Sequence, residues 1–137
     1  MLSLICDDDT SWRRILERAL GGTILSVDTI AEAITLTKKM QPHVVLLDVI
    51  LPDGIGWEAI PTFRAASPHT EIVVMTAFAR RTDGLRAIGE HHAFAYLDKS
   101  DGLDTIVRTV RRAFNSSIVG ALRGAAARET RRAAVRR

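Results

Sequence analysis

The 137-residue chain is long enough for one domain with a single hydrophobic core, and its 47% hydrophobic content is ordinary for a globular protein. It has no apolar run of the roughly 20 residues that a membrane-spanning helix needs, and no leader typical of a signal peptide, so we expect a cytoplasmic protein without a membrane partner. The single cysteine, Cys6, excludes an internal disulfide framework.

The net charge of +3 is unevenly distributed along the chain. Residues 1–114 carry 13 Lys and Arg against 15 Asp and Glu, a net charge of −2. Residues 115–137 carry six Arg and one Glu, a net charge of +5. The basic character therefore belongs to the tail and does not indicate that the whole domain binds nucleic acid.

The first half of the chain alternates short apolar runs with amphipathic segments. Leu2–Cys6 predicts a strand, and Thr10 or Ser11 is expected to cap a helix that runs to about Leu20. Thr23–Val27 predicts a second strand. Thr29–Glu32 has the form of a capping box, so a second helix is expected from there to about Met40.

The second half continues the alternation. His43–Asp48 predicts a third strand, whose continuous Val and Leu residues are typical of a strand buried on both faces. Pro52-Asp53-Gly54 predicts a turn, and a helix is expected from about Gly56 to Ala66, with Pro61 disfavoured inside it. The remaining predicted elements are a strand over Glu71–Met75, a helix over Arg80–His91, a strand over Phe94–Leu97 and a helix over Leu103–Phe114 with Asp101 as its N-cap.

Five strands separated by five helices predict an α/β fold, a doubly wound parallel sheet with helices on both faces. In such sheets ligands bind outside the carboxyl ends of the strands. This rule brings together the polar residues that follow four of the predicted strands: Asp7, Asp8, Asp48, Thr76 and Lys99.

This set of residues suits phosphoryl chemistry. Three carboxylates at close range repel one another unless a cation lies among them, and Mg²⁺ is a hard ion that prefers oxygen ligands. With that ion bound, Asp48 can attack phosphorus as a carboxylate nucleophile, while Lys99 neutralises the phosphoryl oxygens. The Thr76 hydroxyl can donate a hydrogen bond to the new phosphate. Asp9, by contrast, is interpreted as a helix cap or turn former.

Over residues 2 to about 114 the chain resembles the bacterial response-regulator receiver domain, the flavodoxin-like phosphoacceptor of two-component signalling. The resemblance implies a strand order of 2-1-3-4-5 and a receiver over residues 1–114. The Ala- and Arg-rich composition of residues 115–137 separately predicts a basic helical extension or linker, which could be a linker to a further domain, an oligomerisation helix, or a basic arm for phosphates or acidic partners. The resemblance also implies roles for single residues. Asp48 is the phosphoacceptor, Asp8 a direct Mg²⁺ ligand, Asp7 a ligand mainly through water, Ile50 a carbonyl ligand, Thr76 and Tyr96 the switch residues, and Lys99 the phosphate-binding lysine.

The resemblance also implies how the protein functions. A histidine kinase or phosphotransfer protein supplies the phosphoryl group, and the domain itself is not a turnover enzyme. Phosphorylation switches the conformation of the surface made by the fourth helix, the fifth strand and the fifth helix. That surface controls a homodimer, a downstream protein or an output domain.

Three departures from the family pattern carry their own expectations. Ser100 follows Lys99 where the family usually has proline, often after a cis bond; a cis bond without proline is costly, so a different geometry after Lys99 is open. His92 replaces the usual glycine before the last strand, so it must adopt a positive φ. The apolar Ile50 and Phe78 lie two residues past Asp48 and Thr76, where they are expected to hinder an attacking water and slow autodephosphorylation.

Two other functions stay open at this point. One is a phosphorylation-independent interaction module, associated with nucleic acid through the basic tail. The other is a phosphatase of the haloacid dehalogenase class, whose motif requires an acid at the position of Ile50. Trp12 is expected near the site, one helical turn beyond Asp8, with core packing as its main role.

Overall fold

The computed structural model describes residues 1–77 and 91–136. Within them, five strands form one parallel sheet in the order β2-β1-β3-β6-β7. The strands are β1 (Leu2–Cys6), β2 (Thr23–Val27), β3 (Val44–Asp48), β4 (Ile50–Leu51), β5 (Gly54–Ile55), β6 (Glu71–Thr76) and β7 (Ala95–Asp98). The helices are α1 (Thr10–Ala19), α2 (Ile30–Met40), α3 (Ile60–Ala66) and α4 (Leu103–Arg136). The predicted α/β class is confirmed.

The strand order is the predicted 2-1-3-4-5 when the strands of the parallel sheet alone are counted. The two strands that the sequence did not predict, β4 and β5, form a separate antiparallel ribbon. The ribbon closes around Pro52 and Asp53, where only a turn was expected. It follows directly after β3 and therefore lies next to the carboxyl edge of the sheet.

The sheet separates two hydrophobic cores, because alternate residues of each strand point to opposite faces. Leu4, Val45, Leu47, Ile72 and Val74 belong to one core, together with residues of α2 and α3. The other core contains the alternate positions of the same strands, with residues of α1, its C-cap Leu20 and the first half of α4: Ile5, Leu46, Val73, Leu16, Leu20, Ile106 and Val110. Burial on both faces explains the unbroken apolar runs in the central strands.

The N-termini of α1 and α2 are both capped by side chains. The Asp9 carboxylate accepts a hydrogen bond from the backbone N–H of Trp12 at 3.1 Å, which confirms that Asp9 is a cap. The prediction that Thr10 or Ser11 caps α1 is wrong, because Asp9 is the last extended residue before the helix. The Thr29 hydroxyl accepts from the N–H of Glu32 at 3.2 Å, as the capping-box pattern predicted.

The segment after the ribbon differs from the single helix that was expected. A 3-10 turn over Gly56–Ala59 precedes α3. Pro61 lies in the first turn of α3, where a residue needs no backbone N–H, so the expected conflict inside a helix does not arise.

The C-terminal part of the chain is one uninterrupted helix. A 3-10 turn over Lys99–Asp101 precedes α4, and the Asp101 carboxylate accepts from the N–H of Asp98 at 2.9 Å. Asp98 is the N-cap of this turn and Asp101 closes its capping box, so the prediction that Asp101 caps the last helix is wrong. The 34-residue helix α4 continues through position 114 to Arg136, which confirms a helical tail.

Two further expectations concern the segment before β7. His92 has a φ of 58°, so it takes the left-handed conformation that the missing glycine required of it. The predicted helix over Arg80–His91 and the position of Phe78 lie outside the described residues, apart from His91. No helix in the described ranges is both long enough and apolar enough to cross a bilayer.

Candidate functional site

Three carboxylates meet at the carboxyl edge of the sheet, and we call them the acidic crevice: Asp7 and Asp8 after β1, and Asp48 at the end of β3. One oxygen of each lies within 4.8 Å of the others. Asp7 is buried, Asp48 is half-buried and Asp8 is exposed. Adjacent parallel strands β1 and β3 bring them together, since Cys6 is paired with Leu47 in the sheet.

Lys99 brings a positive charge to the acidic crevice from the end of β7, the edge strand of the sheet. It begins the 3-10 turn after β7. Its Nζ lies 2.7 Å from Asp7 Oδ2 and 3.7 Å from Asp48 Oδ2. The Lys99 side chain is only 14% exposed, so water screens these charges poorly. The order of the strands thus brings four predicted site residues together at the carboxyl edge of the sheet: Asp7, Asp8, Asp48 and Lys99.

Backbone groups fix the orientation of two carboxylates. The N–H of Asp9 donates to Asp7 Oδ1 at 2.9 Å, and the N–H of Val49 donates to Asp48 Oδ1 at 2.8 Å. Gly56 packs against the backbone of Asp48, where a Cβ would lie 1.9 Å from the Asp48 carbonyl oxygen. Sequence reasoning missed this role of Gly56, which glycine alone can fill because it has no side chain.

Burial and the nearby Asp7 carboxylate raise the pKa of Asp48 from 3.8 to about 6. The Lys99 ammonium and the Val49 N–H act in the opposite direction on the same pKa, and Asp8 raises it slightly further. The acidic crevice therefore holds more negative charge than one ammonium compensates. Three hard oxygen donors with excess negative charge fit a divalent cation such as Mg²⁺.

The predicted switch residues lie on the neighbouring strands. Asp48 is paired with Met75, so Thr76 is one residue further toward the same edge, and it is buried. Tyr96 lies in β7 opposite Val74, half-buried against the core under α2 and α3. Ile50 begins the ribbon two residues after Asp48, and the residue is 74% exposed. Its role as a carbonyl ligand stays a prediction.

Comparison with known proteins assigns this architecture. The family model for the response regulator receiver domain matches residues 3–111. The chain belongs to the response regulator receiver family. This receiver is 34% identical over 117 residues to the DNA-binding transcriptional regulator NtrC of Azospirillum brasilense, across 83% of its own length and 24% of the relative's. The regulatory protein AtoC of Escherichia coli strain K12 is 31% identical over 113 residues, which is 80% of this receiver and 24% of AtoC.

Solved structures share the fold at lower identity. A CheY-like receiver domain protein from Methanospirillum hungatei JF-1 has a TM-score of 0.78 at 20% identity, covering 87% of this receiver and 97% of that chain. A structure described as adenylate cyclase from Rhodopirellula baltica has a TM-score of 0.85 at 23% identity, covering 93% and 96%. The receiver spans about a quarter of the length of the curated relatives it matches.

Two contacts near the site of this receiver were not foreseen. Trp12 packs against the hydrophobic core that contains Leu16 and Ile106, as expected, but its ring centroid also lies 5.6 Å from Lys99 Nζ. Asp53 was assigned only a turn, yet its carboxylate accepts from the N–H groups of Ile30 and Ala31 at 2.9 and 3.0 Å. These hydrogen bonds lower the pKa of Asp53 and tie the ribbon to α2. A Pro-Asp-Gly pattern indicates the turn but not its distant partner.

Proposed function

We propose that this receiver accepts a phosphoryl group on Asp48 from the phosphohistidine of a histidine kinase or phosphotransfer protein, in a Mg²⁺-dependent reaction in the cytoplasm. One observation carries the proposal: the Asp48 carboxylate lies with Asp7 and Asp8 at one sheet edge, 3.7 Å from the ammonium of Lys99. A carboxylate nucleophile, oxygen ligands for a cation and a fixed ammonium are the groups that this transfer requires.

The residues have distinct parts in the transfer. Asp48 Oδ1 is held by the Val49 N–H, which leaves Oδ2, the oxygen facing Lys99, to attack phosphorus. The new O–P bond forms as the P–N bond to the donor imidazole breaks, and the electron pair of that bond stays on the imidazole. Mg²⁺, held by the acidic crevice and the Ile50 carbonyl, would neutralise charge on the phosphoryl oxygens. Lys99 contributes the second positive charge at the same oxygens.

Residues of the neighbouring strands β6 and β7 would couple phosphorylation to a change of the surface. The buried Thr76 hydroxyl would donate a hydrogen bond to a phosphoryl oxygen, and Tyr96 would change position with it. The phosphate then favours one of two existing conformations, and the altered surface controls a dimer, a downstream protein or an output domain. The protein is thus a phosphoacceptor that switches rather than an enzyme with turnover. The exposed Ile50 side chain, at the position where the haloacid dehalogenase class has an acid, supports this assignment.

The test is phosphorylation by a small acyl phosphate with Mg²⁺, read by intact mass. We expect one acid- and hydroxylamine-sensitive phosphate on the wild type and none on Asp48→Asn. Glu58→Gln, which removes one charge from an exposed position, is the matched control and should be phosphorylated normally. Elution volume in the same samples shows whether phosphorylation changes the oligomeric state. A wild-type protein that takes up no phosphate in saturating Mg²⁺ would overturn the proposal.

One observation favours a second candidate function, which is independent of phosphorylation. Four arginines near the end of α4 follow the spacing i, i+3, i+4 and i+8, so they share one helix face: Arg128, Arg131, Arg132 and Arg136. Glu129 approaches one of them, Arg132, at 4.0 Å. Arginine forks bind phosphates in bidentate fashion, so this arginine face suits a nucleic-acid backbone.

Charge-matched variants distinguish DNA binding by the arginine face from attraction of DNA to the positive charge of the helix as a whole. We expect a short DNA duplex to bind the intact protein in fluorescence anisotropy, with affinity falling as salt rises. The pair Arg128→Gln and Arg131→Gln should weaken binding and reduce the salt dependence. The pair Arg112→Gln and Arg123→Gln removes the same charge from the opposite side of α4. Equal losses in both pairs would refute a defined arginine face.

A further inference from the structure

The ammonium of Lys99 lies over an aromatic ring as well as beside the acidic crevice. Its Nζ is 5.6 Å from the centroid of the Trp12 ring, within the distance of a cation–π contact. The turn between β1 and α1, which carries Asp7 and Asp8, also fixes the position of the Trp12 backbone. The Asp9 N–H binds Asp7, and the Asp9 carboxylate accepts from the N–H of Trp12, so the acidic crevice and the indole have a common backbone frame.

Packing alone does not account for a tryptophan at this position. The indole Nε1–H of Trp12 is buried and makes no hydrogen bond with any residue in the described parts of the chain. A buried donor without a partner is unfavourable, and buried tryptophans usually find one. A phenyl ring would fill part of the same space without that cost. The indole does, however, offer the best aromatic face for a cation.

We propose that Trp12 is a positioning residue for phosphotransfer, holding the Lys99 ammonium at the acidic crevice through the face of its indole. The inference rests on the proposed phosphoacceptor function of Asp48. The Lys99 side chain is only 14% exposed, and its charge is compensated by Asp7 at 2.7 Å and Asp48 at 3.7 Å. The aromatic face adds a second attraction that restricts the position of the ammonium without occupying a particular N–H. The three ammonium donors therefore stay available, first to the carboxylates and then to the oxygens of the phosphoryl group.

The first experiment compares phosphorylation rates at saturating Mg²⁺ and a fixed concentration of acyl phosphate. We expect rates in the order wild type, Trp12→Phe, Trp12→Leu, with the leucine variant slower by about twofold to thirtyfold, the range of a cation–π contact. Thermal unfolding of both variants identifies any effect of lost packing. Because phenylalanine retains an aromatic face, a partial rescue by Trp12→Phe at equal stability supports positioning.

A double-mutant cycle tests whether the effect passes through Lys99. In a Lys99→Met background, Trp12→Leu should cause no further slowing. The same slowing in both backgrounds would show that Trp12 acts by packing, and it would overturn the inference. So would an unchanged rate in Trp12→Leu while the wild type is phosphorylated normally, and that result leaves the proposed function intact.

A spectroscopic measurement tests the contact without phosphotransfer. Trp57→Phe removes the other tryptophan, so emission then reports Trp12 alone. We expect Lys99→Met to change the wavelength or intensity of that emission, since it removes the adjacent charge. The exposed Lys38→Met is the control and should leave the emission unchanged. Identical spectra with and without Lys99 would overturn the inference at the contact itself. Absence of phosphate on the wild type with a Lys99-dependent spectrum would instead refute the proposed function, and with it a role in phosphotransfer, while the contact between Trp12 and Lys99 would stand.

Discussion

Removing the negative charge of Asp48 should make the metal-free protein more stable. The pKa of Asp48 is raised from 3.8 to about 6, chiefly by burial and then by Asp7. A shift of roughly two pKa units corresponds to about 3 kcal/mol against the ionised form. Solvent reaches part of the acidic crevice and screens the charges there, so the expected gain for Asp48→Asn is about 1–2 kcal/mol.

The pH dependence gives the sign of the effect. The folded-state pKa is higher than the unfolded value, so folding favours the protonated carboxyl. Above about pH 6 the carboxylate is ionised in both states, and its full unfavourable contribution is present. Below about pH 4 the group is protonated in both states, and the contribution disappears. The stability difference between Asp48→Asn and the wild type should therefore shrink as the pH falls between these values.

Urea unfolding in a metal chelator at neutral and acidic pH measures this difference in the free energy of unfolding. Glu58→Gln is the control and should change stability by less than about 0.5 kcal/mol. Added Mg²⁺ should reduce or reverse the difference, because it binds and stabilises the wild type more than the variant. An Asp48→Asn protein that is no more stable than the wild type in chelator, or a gain that persists at low pH, would contradict the electrostatic argument.

Four other substitutions have defined outcomes. Asp53→Ala should lower the free energy of unfolding at neutral pH, because the Asp53 carboxylate accepts a hydrogen bond from the first N–H of α2. Folding lowers the pKa of Asp53, so this loss of stability is present above the pKa of the unfolded state and disappears as the pH falls through the pKa of the folded state. Gly120→Ala should stabilise by about 1 kcal/mol in urea unfolding, whereas Gly124→Ala should gain less, because its Cβ would lie 3.1 Å from His69 Nε2. Ile50→Asn should speed the loss of phosphate, followed by intact mass; an unchanged rate would show that Ile50 does not hinder water.

The sheet and its edge could be predicted because their signals are local. Apolar runs such as Val44–Leu47 identify buried strands, and the rule for parallel sheets then places the following polar residues together. The convergence of Asp7, Asp48 and Lys99 needed no knowledge of side-chain contacts. His92 was also predictable, since a non-glycine residue at a required left-handed position can be recognised from its place before β7.

The features that were missed depend on partners far away in the chain. Asp53 bonds with Ile30 across 23 residues, and the Trp12 ring meets Lys99 from a different element. Neither spacing nor composition encodes such contacts. The cap of α1 was misplaced for another reason, because Asp9, Thr10 and Ser11 are all good N-cap residues and only the backbone conformation distinguishes them.

The continuity of α4 has a mechanical consequence. Ser117 is its last buried residue, and the remaining residues to Arg136 form a rod of roughly 28 Å beyond that point. A rigid rod amplifies movement at its base. A tilt of about 10° at Ser117 displaces the far end by roughly 5 Å, for the helical rise of 1.5 Å per residue. A change of tilt at the base of α4 is thereby delivered at the tip as a displacement of several ångströms.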